Sequence, residues 1–432
     1  MSYYILPRIE TQISIMPSLF CSKDKIKPFI SHSLVKYINE SHIILEQQLS
    51  LDGNKSISIN MLHQVIHTYD FLFSVVSGFD NSISKINTSF PTYYDITEIY
   101  YTLKIYEGLP ETPINILCFG KSSVSLGDAL KYHRPNCKDH LMVFDKTKSS
   151  SNLLGYLSSK VEDPTYGLNI PENVKNKCHI IYFETPEKDY ETMNKYILYL
   201  IKNILCIYNY QSLSGYSIIK IDQIVYKPIV DIIYIISGMF DKCYIIKPNT
   251  SNVINDERYL ICKNYRGIKK DMYTSLLNVY NELEKNKDNI IVDSLLANKI
   301  FSYFTNKIEE SNIIIGQQKL DAYAQIINLL KSKNKMGKID ILQKHNIQKC
   351  MYWCDKYKIP YNKLFEFNQI CFPSIENTTN EEYAESSTDD LFFTYMNTHY
   401  SDCNDSYNEY EESSSDVLNY QKIDNYRKKM KI

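Results

Sequence analysis

Short apolar runs alternate with longer amphipathic stretches through the middle of the chain. The short runs have the length and β-branched content of buried strands, and polar or turn residues bound them. These strand candidates are Pro113–Phe119, His140–Phe144, Cys178–Phe183, Tyr216–Ile221, Lys242–Ile246 and Arg258–Cys262. Between them, helical spacing covers Ser125–Tyr132, Tyr190–Tyr210 and Ile229–Phe240. The alternation predicts an α/β fold with a parallel sheet, and the last two strands, joined by a polar loop, predict an antiparallel hairpin.

The regions on either side of this alternation read differently. Residues 1–90 are mixed, with helix candidates near 29–48 and 60–77, and residues 271–373 are dominated by helical patterns. Residues 91–270 hold the α/β pattern. The sequence therefore predicts a mostly helical N-terminal region, a central α/β domain and an α-helical C-terminal region.

Charge separates residues 374–432 from the rest of the chain. Residues 374–420 contain 12 Asp or Glu and no Lys or Arg, whereas the last residues are basic. This composition predicts disorder, because too little apolar surface is available to offset the ordering entropy. The whole chain has a net charge of −2, so residues 1–373 alone carry +6. A basic body beside an acidic tail is consistent with a nucleic-acid binder whose tail competes for its site, or with a solubilising tail on an ordinary domain.

Composition and residue spacing indicate the cellular compartment and bear on membrane and metal binding. Apolar residues make up 44% of the chain, which is enough for a sizeable core. The 11 cysteines are scattered without a C-x-x-C pair, so we expect a reducing, intracellular compartment. The longest apolar runs are too short to cross a bilayer, and we expect no membrane association. The metal-like spacing of His345, Cys350 and Cys354 lacks a second ligand pair, so we expect no metal site.

The segment that starts at Gly215 carries the most specific pattern. It reads GYSIIKIDQI and continues as PIVDIIYIISGMFDKCYIIKPNTSNVINDERYLICKNYRG. In order and spacing this text resembles the closing part of the FtsJ-like RNA 2′-O-ribose methyltransferases, of the kind found in large nucleocytoplasmic DNA viruses. The resemblance implies a Rossmann-like methyltransferase sheet with a C-terminal antiparallel hairpin strand, plus α-helical extensions. It also implies S-adenosylmethionine as cofactor, RNA (especially capped mRNA) as substrate, and a place in viral transcription or capping machinery, in the host cytoplasm or the virion.

The resemblance assigns a Lys-Asp-Lys-Glu catalytic tetrad to this chain. By position, the second lysine falls on Lys220 and the glutamate on Glu257, while the best candidate for the first lysine is Lys104. The aspartate position holds Glu184, one methylene longer. A ribose hydroxyl is a poor nucleophile, so the lysine would act as a base if burial and neighbouring cations lowered its pKa. Lys104 and Glu184 are also readable as an ordinary helix lysine and an ordinary strand-end acid.

The cofactor loop departs further from the family. The family has Pro-Gly-Gly-Phe after its first strand, and the aligned positions here hold Lys121-Ser122-Ser123-Val124 after Gly120. The expected cofactor-binding residues are therefore Gly120, Ser122 and Ser123. Asp145, at the end of the second strand, is a candidate for the ribose hydroxyls of the cofactor, or simply the first residue of a turn.

The polar loop of the final hairpin is the candidate RNA contact. Its residues Lys247, Asn249, Ser251 and Asn252 carry groups that can donate to phosphate oxygens. Two functions follow from the whole pattern. One is an active RNA 2′-O-methyltransferase. The other is a methyltransferase-fold protein that has lost its cofactor and serves as an RNA-binding or scaffold subunit.

Overall fold

A mixed β-sheet flanked by helices forms the centre of the protein. The computed structural model describes residues 2–10, 13–20, 27–52, 59–76, 79–144, 162–163, 168–169, 175–184, 193–286, 291–297 and 299–367. Its strands are β1 (Ser2–Leu6), β2 (Ile15–Phe20), β3 (Asn115–Phe119), β4 (His140–Phe144), β5 (Glu162–Asp163), β6 (Leu168–Asn169), β7 (Cys178–Phe183), β8 (Gln211–Ile221), β9 (Phe240–Lys247), β10 (Arg258–Tyr265) and β11 (Ile291–Leu296).

Helices connect and cover these strands. They are α1 (His32–Asp52), α2 (Ile59–Ile66), α3 (Thr92–Thr102), α4 (Val124–His133), α5 (Met193–Tyr210), α6 (Lys227–Met239), α7 (Lys270–Asn286), α8 (Ser302–Lys331), α9 (Lys335–Lys356) and α10 (Leu364–Phe367). Among the described residues, no helix is both long and apolar enough to cross a membrane.

The main sheet has the strand order β1-β9-β10-β8-β7-β3-β4. Strands β8, β7, β3 and β4 are parallel, while β10 is antiparallel to both β8 and β9. The predicted α/β class and the predicted antiparallel hairpin are therefore confirmed. The edge strand β1 was not predicted, and it pairs antiparallel with β9, with Ser2 opposite Lys247. We call the side on which β3, β7 and β8 end the carboxyl edge.

The isoleucine-rich strands are buried on both faces, as expected for a sheet covered by helices. Successive residues alternate between two cores: Ile219 and Ile245 pack with α5, α6 and α7, whereas Ile218 and Ile246 pack with α3 and α9. Near-continuous apolar runs are therefore required at these strands.

The helices outside the α/β pattern belong to the same compact unit, which extends over residues 1–366. The predicted regions 1–90, 91–270 and 271–373 all contribute to it, and α1, α2, α8 and α9 share a third apolar core. The region expected to be helical also contains β11, which pairs with β2. Residues 367–432 form the second unit. The expectation of a disordered acidic tail concerns residues that lie outside the described part of the chain.

Candidate functional site

A lysine and a glutamate meet at the carboxyl edge of the sheet. Lys220 stands near the end of β8 and Glu257 directly precedes β10, which pairs antiparallel with β8. The Lys220 Nζ lies 2.9 Å from Glu257 Oε2, and the two side chains are 12% and 37% exposed. The antiparallel register brings these residues together although they are far apart in sequence. The structure thus places two of the predicted catalytic residues in direct contact.

The charges around Lys220 are acidic. Burial alone would lower the pKa of Lys220, but Glu257, Asp95 and Glu184 raise it above its ordinary value. Lys220 is therefore an ammonium at neutral pH. The resemblance gave Lys220 the role of a base on condition that burial and neighbouring cations lowered its pKa. The surroundings are the opposite, because the acids Glu257 and Asp95 raise that pKa.

Asp95, in the first turn of α3, organises the loop between β9 and β10. Its carboxylate accepts hydrogen bonds from Thr250 Oγ1 at 2.6 Å, Ser251 Oγ at 2.8 Å and Tyr259 Oη at 2.9 Å. Glu98, one turn later, accepts from the Thr250 backbone N–H at 3.3 Å, and burial raises its pKa. Sequence reasoning missed both acids. The available signal was a pair of carboxylates on one face of an otherwise apolar, tyrosine-rich helix.

Lys104, the predicted first lysine, lies near the opposite edge. The chain must reach the amino ends of the strands before β3 begins, so α3 runs from the carboxyl edge to the amino edge. Next to Lys104, the Leu103 carbonyl accepts from Lys263, far along β10 from the Glu257 end. The Lys104 side chain is 71% exposed and its amine lies 3.9 Å from Glu107. The structure does not bring Lys104 to Lys220.

Lys247 is buried rather than presented to phosphates. It ends β9, and its Nζ donates to the carbonyl oxygens of Asn255 at 2.6 Å and Glu257 at 2.9 Å. Burial, with Arg258 nearby, lowers the pKa of Lys247 to about 7. In the structure, Lys247 thus holds the backbone of Glu257 in place.

The other predicted loop residues have mixed settings. Ser251 donates to Asp95, as described above, and Asn252 Oδ1 accepts from the Ile254 backbone N–H at 2.9 Å. Asn249 is exposed. Of the four residues proposed for RNA, Asn249 alone presents an open side chain.

Helix α8 braces this loop from its other side. Lys319 donates to Asp256 Oδ1 at 2.8 Å, and Gln223 donates to Asp256 Oδ2 at 2.8 Å. The guanidinium of Arg258 donates to Asn312 Oδ1 at 2.7 Å. Because Asp256 and Arg258 flank Glu257, α8 helps to fix the position of that carboxylate.

The crevice between β3 and β7 holds the predicted cofactor loop. Gly120 follows β3 with a φ of 114°, a conformation that favours glycine. Glu184 follows β7, and its Oε2 accepts from the Ser122 backbone N–H at 2.7 Å while its Oε1 accepts from Ser122 Oγ. Ser123 is fully buried and its Oγ donates to the Gly120 carbonyl. Asp145 lies outside the described residues.

Metal ligands do not gather in the described part of the chain, where no group of three or more His, Cys, Asp or Glu has a suitable arrangement. Cys350 and Cys354 are fully buried in the core against α3, whereas His345 is exposed on the opposite side of α9.

Part of the chain is similar to proteins named as mRNA methyltransferases. No family model matches the chain. A protein named "Cap-specific mRNA (nucleoside-2'-O-)-methyltransferase 1" from Dictyostelium discoideum is 30% identical over 95 residues, 22% of this chain and 12% of that protein. The Trypanosoma brucei brucei protein of the same name is 26% identical over 111 residues, 25% of this chain and 30% of that protein. Part of the chain is similar to cap-specific mRNA methyltransferases.

A longer similarity carries no stated activity. "Uncharacterized protein R383" of Acanthamoeba polyphaga mimivirus is 23% identical over 356 residues, 79% of this chain and 86% of that protein. Together these similarities support a methyltransferase-like protein with a relative in a virus. These similarities do not point to the FtsJ-like family in particular. The resemblance to that family rests on the sequence pattern alone.

Proposed function

We propose that this chain is an S-adenosylmethionine-dependent RNA 2′-O-ribose methyltransferase that acts on capped mRNA. The observation that carries the proposal is the Lys220–Glu257 pair at the carboxyl edge of an α/β sheet that ends in an antiparallel hairpin. The partial similarity to cap-specific mRNA 2′-O-methyltransferases supports the same reaction. The viral relative suggests viral mRNA as substrate and a capping complex as partner.

The charge of the site suits the cofactor. Ligands of α/β proteins bind outside the carboxyl ends of the strands where the strand order reverses, which here is the crevice between β3 and β7. S-adenosylmethionine carries a sulfonium, an ammonium and a carboxylate, and the acid Glu184 lies in this crevice beside Ser122. The residues that would hold it are Gly120, Ser122 and Glu184. When bound, the cofactor supplies an electrophilic methyl group.

Lys220 and Glu257 would act on the ribose. As an ammonium, Lys220 donates a hydrogen bond to the 2′-oxygen and stabilises negative charge as it develops there. Glu257 keeps the Lys220 amine in place and, being partly exposed, is the nearest carboxylate able to accept a proton. Lys247 and α8 position Glu257 through its backbone and its neighbours.

A second function is favoured by one specific observation. Glu184 already uses the Ser122 backbone N–H and hydroxyl, groups that a cofactor in this crevice would need. A chain in which these bonds persist would retain the fold and RNA binding without methyl transfer, and would serve as a scaffold subunit of a capping or transcription complex.

The deciding experiment measures cofactor binding and then methyl transfer by the full chain. Calorimetry should give a micromolar Kd for S-adenosylmethionine, and radiolabelled methyl should enter capped RNA at the 2′-position. Lys220→Met should lower transfer about 100-fold or more while cofactor binding persists. Lys242→Met, an exposed lysine on β9, is the matched control and should retain transfer.

The opposite result separates the two functions. If folded protein binds no cofactor up to millimolar concentration, the enzyme proposal is rejected and the scaffold function is favoured. If cofactor binds and Lys220→Met transfers methyl as fast as the wild type, the role given to the Lys220–Glu257 pair is wrong.

A further inference from the structure

The positive charge of the folded part of the chain is concentrated in one segment. Residues 331–363 contain nine lysines and two aspartates, a net charge of +7. Residues 1–373 together carry +6, so the remainder of that region is close to neutral. The segment includes the last residue of α8 and the whole of α9. A general excess of surface lysine therefore does not explain this charge.

Helix α9 has one face in the core and one face exposed. Its inner residues Ile339, Asn346, Cys350 and Trp353 are buried. We define the outer face of α9 as the exposed or half-exposed residues Lys338, Ile341, Lys344, His345, Gln348, Lys349, Tyr352, Asp355 and Lys356. Helical spacing places these side chains along one stripe about 27 Å long.

Two large apolar side chains interrupt the lysines on the outer face of α9. Tyr352 is 62% exposed and Ile341 is 67% exposed. Tyr352 precedes Lys356 by one helical turn, and Ile341 follows Lys338 by nearly one turn. An aromatic ring between cations is the arrangement with which proteins stack unpaired bases while binding the phosphates of single strands.

The buried face of α9 packs on the elements that build the candidate site. Asn346 Nδ2 donates to the Val65 carbonyl at 2.8 Å, and the ring of Trp353 lies 5.7 Å from Tyr94, next to Asp95 in α3. Burial lowers the pKa of His67, in the turn after α2, while the nearby Asp95 and a hydrogen bond with the Thr250 backbone act to raise it. The outer face of α9 is thus presented by a helix fixed to the same framework as Lys220.

We infer that the outer face of α9 is a binding surface for single-stranded RNA, outside the site that acts on the ribose. This inference takes from the proposed function only the class of the ligand, RNA. RNA is favoured over an acidic protein because the exposed tyrosine and isoleucine lie among the lysines. A longer transcript would therefore contact both the Lys220 edge and α9, whereas a very short one would occupy the Lys220 edge alone.

The test compares charge reversal on α9 with an equal reversal elsewhere. The first variant of the full chain carries Lys338→Glu, Lys344→Glu and Lys356→Glu. The control carries Lys269→Glu, Lys270→Glu and Lys285→Glu, three exposed lysines at or beside α7. Fluorescence anisotropy with a labelled 20-nucleotide RNA without secondary structure is measured across a salt series.

The α9 variant should bind RNA at least about tenfold more weakly than the control. The plot of log K against log salt concentration should be less steep for the α9 variant than for the control by about 2. Three lysines are changed, and each phosphate contact on a single strand contributes roughly 0.7 to the slope. Tyr352→Ala alone should weaken binding by about tenfold through lost stacking. If charge reversal prevents folding, the Lys→Gln versions of the same positions replace it.

Equal affinity and equal salt slope for the α9 and control variants would overturn the inference. So would a loss of binding to a poly-glutamate peptide with RNA binding intact, since that result assigns the surface to an acidic protein. Failure of the proposed function is seen separately, as absence of methyl transfer to a capped trinucleotide, which is too short to depend on α9.

Discussion

Single residues at the carboxyl edge show which part of the chemistry is fixed by the fold. The register of β8 with β10 brings Lys220 and Glu257 together. The family resemblance implied that the two residues share a site, and both stand where a strand ends or begins. Lys104 lies away from this pair for a reason contained in the chain: a residue just before β3 must lie near the amino edge. Glu257, with Asp95 and Glu184, raises the pKa of Lys220, so the residue is an ammonium rather than a base.

Lys247 makes a pH-dependent contribution to stability. Its folded pKa is lowered to about 7 from 10.5, so between these values the unfolded chain binds more protons. Stability therefore rises with pH across this window, by at most about 1.4 kcal/mol per pH unit from this group, and the cost of the buried ammonium is fully present below pH 7. Urea unfolding at pH 7, 8 and 9 should show this rise in the wild type and its loss in Lys247→Met.

The exposed Lys242 supplies the comparison. Lys242→Met should show the same pH dependence as the wild type. If the free energy of unfolding of the wild type and of Lys247→Met changed with pH in the same way, the pKa of Lys247 would not be lowered in the folded protein.

At the level of elements, a buried ion pair ties α8 to the loop between β9 and β10. The Lys319–Asp256 pair joins them at 2.8 Å with both side chains largely buried. Burial would raise the pKa of Asp256, but Lys319 and Gln223 lower it below its ordinary value. The pair therefore stabilises the fold above the ordinary pKa of an aspartate, and this contribution is lost as pH falls through the lowered value.

Breaking this pair should affect both stability and activity. Lys319→Met leaves Asp256 buried without its cation, and we expect a loss of about 1–3 kcal/mol in the free energy of unfolding. Methyl transfer should also fall, because Asp256 precedes Glu257. Denaturant unfolding and the transfer assay measure the two effects.

The exposed ion pair between Lys36 and Glu40 is the control for the loss of stability expected in Lys319→Met. Lys36→Met removes the ion pair with Glu40 on α1 and should cost no more than about 0.5 kcal/mol. The double variant Lys319→Met/Asp256→Asn should recover part of the stability. A double variant as unstable as the sum of its parts would show that the two residues do not act together.

The strands were predictable to different degrees for physical reasons. Strands β4 and β7 agree with the predicted runs, because each is an apolar run bounded by polar residues, although β7 is buried and β4 only at Met142. Strand β8 begins at Gln211, earlier than predicted, since Gly215 lies inside the strand rather than in a turn before it. Strands β1, β2 and β11 were missed, because edge strands and a two-stranded sheet need only a few apolar residues and leave no clear alternation.

At the scale of the whole molecule, β1 closes one edge of the main sheet. It covers the backbone groups of β9, which would otherwise offer an unpaired edge to another chain. Deleting residues 1–10 should lower the melting temperature by several degrees and promote self-association. Thermal unfolding and sedimentation measure both effects.

Ile5→Lys tests the same strand without removing it. The Ile5 side chain is exposed, so this change keeps the pairing with β9 and should leave the protein monomeric and nearly as stable. A truncated chain that stays monodisperse with an unchanged melting temperature would contradict the role given to β1.

The pairing of β1 with β9 also sets an order of events during synthesis. Ser2 is synthesised well before its partner Lys247, which is added about 245 residues later. At roughly 5–20 residues per second, the first strand waits on the order of 10–50 seconds before it has a place in the sheet. Strand β1 therefore remains without its partner strand while the intervening chain is translated.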